Sequence, residues 1–365
     1  MFKHHLMLLE FMALWLIFHP VLAQDADLRL VDWQPNSQLV VSKTNIEKAK
    51  FPVIDVHNHL GDLSKTKEYL EEMDKAGIWK CVSLDAKSKD DFYTEHLKVS
   101  HGVSKDRFIL FFRPDFSRID EPNFGSTEAN RLEAAVKMGV RGVKVSKALG
   151  LVYRDKNGKL FRVDDSRLDP IWAKCAELGI PVVIHVSDPK AFFTPLDRNN
   201  ERYDELAAHP DWSFYGGDYP TKDEILRQRN AILKKHPNTI FIGAHFGNLP
   251  EDLKKVGQWL DEFPNFYVDI DARISELGRQ PYTARKFMIK YQDRVLFGTD
   301  TAPNAAAYRL YFRFLETDDE YIDPAPAHQQ QGRWMIYGLY LPDEVLEKIY
   351  NKNALGIFEK FKGSE

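Results

Sequence analysis

The sequence predicts a parallel (β/α)8 barrel, a TIM barrel, with an N-terminal extension and long loops after strands five and eight. Three observations carry this. Apolar, strand-length runs alternate with helix-like stretches eight times, the pattern of parallel βαβ units. The chain has 365 residues, enough for one such barrel plus extensions. No Gly-x-Gly-x-x-Gly follows a strand, so a dinucleotide-binding open sheet lacks support.

The strand-like runs are Val53–His59, Lys80–Asp85, Arg107–Pro114, Val140–Ser146, Ile180–Val186, Thr239–Gly247, Phe266–Ala272 and Arg294–Asp300. Between them lie helical stretches at Ser64–Ala76, Tyr93–Val103, Thr127–Met138, Leu168–Leu178, Lys222–Lys235, Leu249–Glu262 and Thr283–Tyr291; a last one, Pro342–Phe361, follows strand eight. Gly77, Gly139 and Gly179 stand where helices must stop before a strand, positions that favour a left-handed cap. Pro237 and Pro264 occupy similar joints.

Residues 1–23 read as a signal peptide. Lys3 supplies positive charge, Leu6 to Leu22 is mainly apolar despite Glu10, and Val21-Leu22-Ala23 suits cleavage before Gln24. The expectation is an exported protein, periplasmic or secreted, with no membrane attachment after cleavage. Residues 24–50 are polar and mixed and read as an extension wrapping the domain; residues 51–365 form the barrel domain. A net charge of −4 without a long basic run excludes a nucleic-acid binder. Two cysteines, Cys81 and Cys175, fall in a strand and a helix and read as buried free thiols, so neither a disulfide framework nor a cysteine zinc site is available.

Two connections are long for a compact domain, Ser187–Thr221 and Thr301–Gln331, and both are rich in aromatics. The first holds Phe192, Phe193, Trp212, Phe214, Tyr215 and Tyr219; the second holds Tyr308, Tyr311, Phe312, Tyr321 and His328. Both leave the C-terminal ends of strands, the catalytic face of such a barrel, and read as lids over a site. A structural cap or an oligomer contact, a homodimer included, is the alternative.

The chemistry centres on His57-Asn58-His59. Two residues apart on a strand, the imidazoles share a face and can chelate a divalent metal. His185 ends strand five, His245 ends strand six and Asp300 ends strand eight, each closing an otherwise apolar run. Singly, each could be a satisfied core histidine or a helix cap. Together they converge on one mouth. A catalytic zinc takes three or four N/O ligands and leaves a position for water, whose pKa it lowers. Lys144 on strand four, Arg113 ending strand three, and Asp269, Asp271 and Arg273 ending strand seven add charge there. The arginines either bind an anionic group of a substrate or pair with neighbouring carboxylates. Asp55 is either a partner of a ligand or an interior polar residue held by neighbours.

His57-Asn58-His59, His185, His245 and Gly298-Thr299-Asp300 resemble the amidohydrolase superfamily. The branch they resemble most is the amidohydrolase-related one, of aminocarboxymuconate-semialdehyde decarboxylase and pyrone-dicarboxylate lactonase types. The run Leu341–Ala354 is also similar to that branch, and the resemblance covers roughly Phe51 to Phe361. It implies one divalent metal, zinc with manganese as the alternative, held by His57, His59, His185 and Asp300. It implies that His245 acts as acid/base and that Asp300 doubles as proton acceptor. Binuclear members carry a carbamylated lysine on strand four; Lys144 could play that part, bind a substrate anion or pair with a carboxylate. The expected activity is hydrolysis of a C–O or C–N bond in a small polar or anionic molecule. Non-oxidative decarboxylation on the same site, and a barrel that holds metal without catalysis, are the alternatives.

Overall fold

The computed structural model of the protein describes residues 27–29, 32–33, 35–86, 92–325 and 331–361. The expected signal peptide and His328 lie outside the described residues. The chain divides into two compact units, Met1–Val40 and Val41–Glu365. The described residues of the first form neither helix nor strand. No helix among the described residues is long and apolar enough to cross a membrane.

The second unit is the predicted barrel. Its strands are β1 (Val53–Asn58), β2 (Ile78–Ala86), β3 (Phe108–Phe112), β4 (Val143–Val145), β5 (Val182–Ile184), β6 (Phe241–Gly243), β7 (Phe266–Asp269) and β8 (Val295–Leu296). Each pairs in parallel with the next in chain order. β8 then returns to β1: Val56 N–H donates to the Phe297 carbonyl at 3.0 Å, and Asp300 N–H donates to the His57 carbonyl at 2.8 Å. Several strands are shorter than the apolar runs suggest, because the chain leaves the sheet early to aim side chains at the mouth. After β6 the backbone turns left-handed at His245 (φ 55°) and Phe246 (φ 58°).

Ile54, Val56, Val82, Leu84, Phe111, Val183, Ile242 and Leu296 form one apolar cluster with Ala354 and Ile357 of the last helical run. Their neighbours Val53, Cys81, Phe112, Val143, Val182 and Phe241 belong to the other cluster, which includes residues of the flanking helices. This is the two-residue alternation of a strand between two packed layers. The last run, Asp343–Phe358, contains one π turn at Lys348–Lys352. It caps the starts of β1 and β8: Asn351 Nδ2 donates to the Pro52 carbonyl at 2.6 Å, and Asn353 Nδ2 to the Val295 carbonyl at 2.8 Å.

Gly77, Gly139 and Gly179 end their helices at φ 79°, 124° and 68°, as the stop signals predict. Most helix starts fall within two residues of the expected ones; two lie further off. The third helix begins at Phe124 rather than Thr127, after a left-handed Asn123, and buries Phe124 beside Phe116. The helix expected from Leu249 begins at Leu253, where the Asp252 carboxylate accepts the Lys255 N–H. Cys81 and Cys175 are buried and free.

The segment after β8 departs most from its sequence reading. Residues Ala305–Glu316 form a helix, and Tyr308, Tyr311 and Phe312 are fully buried. Their rings stand 5.7–6.4 Å from the ring of Phe297. These aromatics recur at helical spacing and fill the core instead of covering the mouth.

Asp55 joins β1 to this helix and to the residues after β8. Its fully buried carboxylate accepts from Thr299 Oγ1 (2.7 Å), Tyr308 OH (3.0 Å), Asn58 Nδ2 (3.0 Å) and His57 N–H (3.1 Å). Burial still lifts its pKa to about 6. It is held by these neighbours, and none of the hydrogen bonds reaches an imidazole nitrogen. Asp55→Ala strands several buried donors at once and is expected to cost about 3–5 kcal/mol of unfolding free energy. Urea denaturation measures this; a loss under about 1 kcal/mol would show that the network carries no stability.

Candidate metal centre

The ends of β1, β2 and β4 to β8 place a cluster of imidazoles, carboxylates and one lysine at the C-terminal mouth. The pairing of β1 with β2 is irregular between Asp55 and Asn58. A bulge of this kind lets Val56 stay in the interior cluster while His57, the next residue, also turns inward. His57 Nε2 lies 3.3 Å from Asp300 Oδ1 and 2.9 Å from Lys144 Nζ; its Nδ1 lies 3.0 Å from Asp269 Oδ2 and 3.1 Å from Asp271 Oδ2. His59 Nδ1 lies 2.6 Å from Asp85 Oδ1, and its Nε2 points to Asp300 Oδ1 at 2.9 Å. Both Nε2 atoms of the His-x-His pair therefore face one carboxylate oxygen.

Across the mouth, His245 N–H donates to Asp271 Oδ1 at 2.6 Å, and His245 Nε2 lies 3.2 Å from His185 Nδ1. His185 Nε2 lies 3.4 Å from Asp188 Oδ1, while Lys147 Nζ holds Asp188 Oδ2 at 2.5 Å. His245, Ala272 and Asp300 take left-handed backbone at φ 55°, 49° and 63°. Such conformations cost on the order of 1–3 kcal/mol each for non-glycine residues, and they cluster where function demands them. Gly298 lets the walls close. A Cβ there would lie 2.9 Å from the Cβ of His57 and 3.2 Å from that of Asp271.

The electrostatics follow from burial of opposite charges. Burial pushes His57 down to about 4 and His185 well below the usual imidazole value, so both are neutral. Burial also lowers Lys144. Asp269 and Asp271 share one site: burial and the charge of Asp271 hold Asp269 well above the carboxylate range. For Asp271 the neighbouring His245 and a hydrogen bond from Asp269 overcome burial and hold it well below. The pair thus carries one negative charge. Asp300 is kept ionised by His57 and His59 in spite of burial.

One nitrogen or oxygen each from His57, His245, Asp271 and Asp300 lie within 4.8 Å of one another. His245 Nδ1 and Asp271 Oδ2 are buried and face each other at 2.8 Å without the alignment of a hydrogen bond, and Asp269 Oδ1 has no partner among the described residues. Orphaned donor atoms converging in a His/Asp set fit a divalent cation. Of the ligands that the sequence resemblance implies, His57 and Asp300 belong to this innermost group. His59 and His185 stand beside it, against Asp300 and His245. His245, read as acid/base, and Asp271, read only as part of a charged strand end, are inside it.

A cavity of about 300 Å³ opens over the cluster. His185, His245 and Asp300 line it along with Arg273, Phe192 and Trp212. Arg273 therefore reaches the cavity, whereas Lys144 is buried against His57 and Arg113 is not among the lining residues. Arg279, six residues beyond Arg273, pairs with Glu201. Asp85 and Asp188 were missed as site residues. The signal was present for Asp85, which closes an apolar run as His185 and Asp300 do; Asp188 sits in a loop, where no periodicity points to it.

The barrel and its histidine–aspartate mouth define a metal-dependent enzyme of the amidohydrolase superfamily. A sequence model of the amidohydrolase family matches residues 114–360, more than half of the chain, and the chain belongs to that family. No curated protein matches it. Among solved structures, a dihydroxybenzoic acid decarboxylase from Polaromonas sp. JS666, with bound manganese and the inhibitor 2-nitroresorcinol, is 15% identical. Its TM-score is 0.55, over 84% of this chain and 97% of that one. A 2,6-dihydroxybenzoate decarboxylase from Rhizobium is 16% identical, with a TM-score of 0.52 over 84% and 98%. A TIM-barrel protein from Bordetella bronchiseptica is 15% identical, with a TM-score of 0.50 over 85% and 99%. At these identities the likeness is one of fold.

His59 makes metal uptake pH-dependent. In the metal-free protein burial disfavours its charge, but Asp300 and Asp85 outweigh this and raise it to about 9. A cation that takes Nε2 must displace that proton. Affinity is therefore expected to fall as pH drops below 9, by about tenfold per unit, and to level off above it. Calorimetry near neutral pH in two buffers of different ionisation enthalpy should count about one proton released per metal; no release would remove His59 from the ligand set.

Proposed function

We propose that this protein is a metal-dependent hydrolase of a C–O or C–N bond, a lactone, ester or amide, in a small carboxylate-bearing molecule. The observation that carries the reading is Asp300. It is held as a carboxylate between the Nε2 atoms of His57 and His59 and lines the cavity. A bound divalent cation, zinc or manganese, supplies Lewis acidity and a water of lowered pKa. His57, His245, Asp271 and Asp300 would hold it, with His59 and His185 alongside. Asp300 takes the proton of the attacking water through its second oxygen. Asp300 then passes that proton to the leaving group, while His245, with Asp271 beside Nδ1, turns Nε2 towards His185 on the cavity side, where its N–H can polarise the substrate. Arg273 holds the substrate carboxylate. Phe192 and Trp212 wall the reacting bond from water, which strengthens every charge in the site.

Decarboxylation is the second reading. The specific observation for it is the same Arg273 facing two aromatic walls, a shape suited to an aromatic acid. Two of the structural neighbours are themselves decarboxylases of dihydroxybenzoates. There Asp300 would relay a proton from water to the ring carbon as the carboxylate leaves as CO2.

Metal-loaded protein should release acid from lactones or esters, followed by pH-stat, or free amine from amides, followed by an amine-reactive dye. Release of CO2 from hydroxybenzoates without any hydrolysis would replace the first reading by the second. Asp300→Asn is expected to lower kcat by about 10²–10⁴-fold, the usual worth of a positioned acid/base. A variant that holds metal at the parent's level and keeps the parent's rate would rule Asp300 out as the proton acceptor.

A further inference from the structure

We infer that Gln331 and Arg273 act together to select substrates in which a hydrogen-bond donor stands near the carboxylate, hydroxy- or amino-substituted acids. The inference rests on the reading of the cavity as the substrate site.

Three cations line that cavity, and two are already neutralised. Lys147 is paired with Asp188. Arg202, fully buried, holds Glu205 at 2.9 Å and also Glu276. Arg273 is different. It is 5% exposed, its Nη1 donates only to the Ala272 carbonyl at 2.7 Å, and its Nε is buried with no partner. Among the described residues no carboxylate comes within ion-pair distance of it. Buried N–H groups left open in this way are costly unless an acceptor, best a carboxylate, completes them.

Gln331 lines the same cavity, and its Oε1 is buried without a partner among the described residues. Buried polar atoms are almost always bonded, so an acceptor left empty on the wall of a cavity marks where a ligand's donor belongs. Glu205 and Glu276 feel the charge of Arg273 as well as that of Arg202, but only Arg202 reaches them within ion-pair distance, so the N–H groups of Arg273 stay open. The wall thus offers a donor fork for a carboxylate and an acceptor for an O–H or N–H. A molecule with the first and not the second leaves Oε1 unsatisfied, and such vacancies discriminate strongly between otherwise similar ligands. Phe192 and Trp212, on the cavity wall, suit a flat ring as the body of the ligand.

The test is calorimetric titration of zinc-loaded protein with benzoate, 3- and 4-hydroxybenzoate, 3- and 4-methoxybenzoate and 3-hydroxybenzamide. Meta and para substituents cannot chelate the metal together with the carboxylate. One hydroxybenzoate isomer should bind at least about tenfold tighter than benzoate and its methoxy counterpart, and 3-hydroxybenzamide at least about tenfold weaker than 3-hydroxybenzoate. Gln331→Leu should erase the hydroxyl preference and leave benzoate within about twofold. Arg273→Gln should erase the difference between acid and amide. The inference is overturned if neither isomer exceeds benzoate, if the methoxy compound binds best, or if Gln331→Leu keeps the hydroxyl preference. Because the readout is binding, protein that discriminates these probes but cleaves no lactone, ester or amide refutes only the proposed reaction. Protein that hydrolyses substrates without discriminating the probes refutes only this assignment.

Discussion

The backbone seam between β8 and β1 is the constraint on which the site depends. The His57 carbonyl accepts from Asp300 N–H, and Val56 N–H donates to Phe297, so the last strand lies against the first. That contact closes the sheet, and it also brings a histidine from residue 57 within 3.3 Å of a carboxylate from residue 300. Gly298 is what allows the approach, because any side chain there would meet the Cβ atoms of both His57 and Asp271. Asp55 locks the same seam from behind through Thr299 and Tyr308.

Once the seam is closed, the mouth must accommodate buried charge. Five carboxyls (Asp85, Asp188, Asp269, Asp271 and Asp300) meet four histidines and Lys144 at distances of hydrogen bonds and ion pairs. Burying ions is expensive unless each is paired or neutralised. The protein answers in three ways: His57 and His185 stay neutral, Asp269 and Asp271 carry one charge between them, and Asp300 and Asp188 remain ionised beside bases. The atoms left over, His245 Nδ1, Asp271 Oδ2 and Asp269 Oδ1, are those a cation would complete. Left-handed backbone at His245, Ala272 and Asp300 is the conformational cost of aiming these groups inward.

The two long connections divide the remaining work. The one after β5 contributes Phe192 and Trp212 to the cavity and, through Asp188, holds His185. The one after β8 mostly serves packing: its helix buries Tyr308, Tyr311 and Phe312 around Phe297, and its end returns Gln331 to the cavity. The cavity wall therefore draws on the segment after β7 and on both connections, while the metal-type residues come from strand ends.

The sequence by itself determined the barrel, its strand order and the identity of most polar strand ends. Those features are local: the period of two in a strand, the helical period, a glycine stop and a single polar residue closing an apolar run are all written within a dozen residues. His57, His59, His185, His245 and Asp300 were legible for that reason, and all five meet at one mouth. What the tertiary structure decided is which of them touch. A bulge in β1 turned His57 inward and left Asp55 facing Tyr308, against simple alternation. A left-handed turn after β6 set His245 against Asp271 and placed both in the innermost group. Asp85 found His59 only because neighbouring strands of the barrel end at the same height. The aromatics of Ala305–Glu316 became core because a helix in a long connection must bury its apolar face somewhere, and Phe297 offered the nearest surface. Partners separated by 26 to 241 residues, such as Asp85 with His59 or Asp300 with His59, depend on closure of the whole sheet, and no local pattern encodes them.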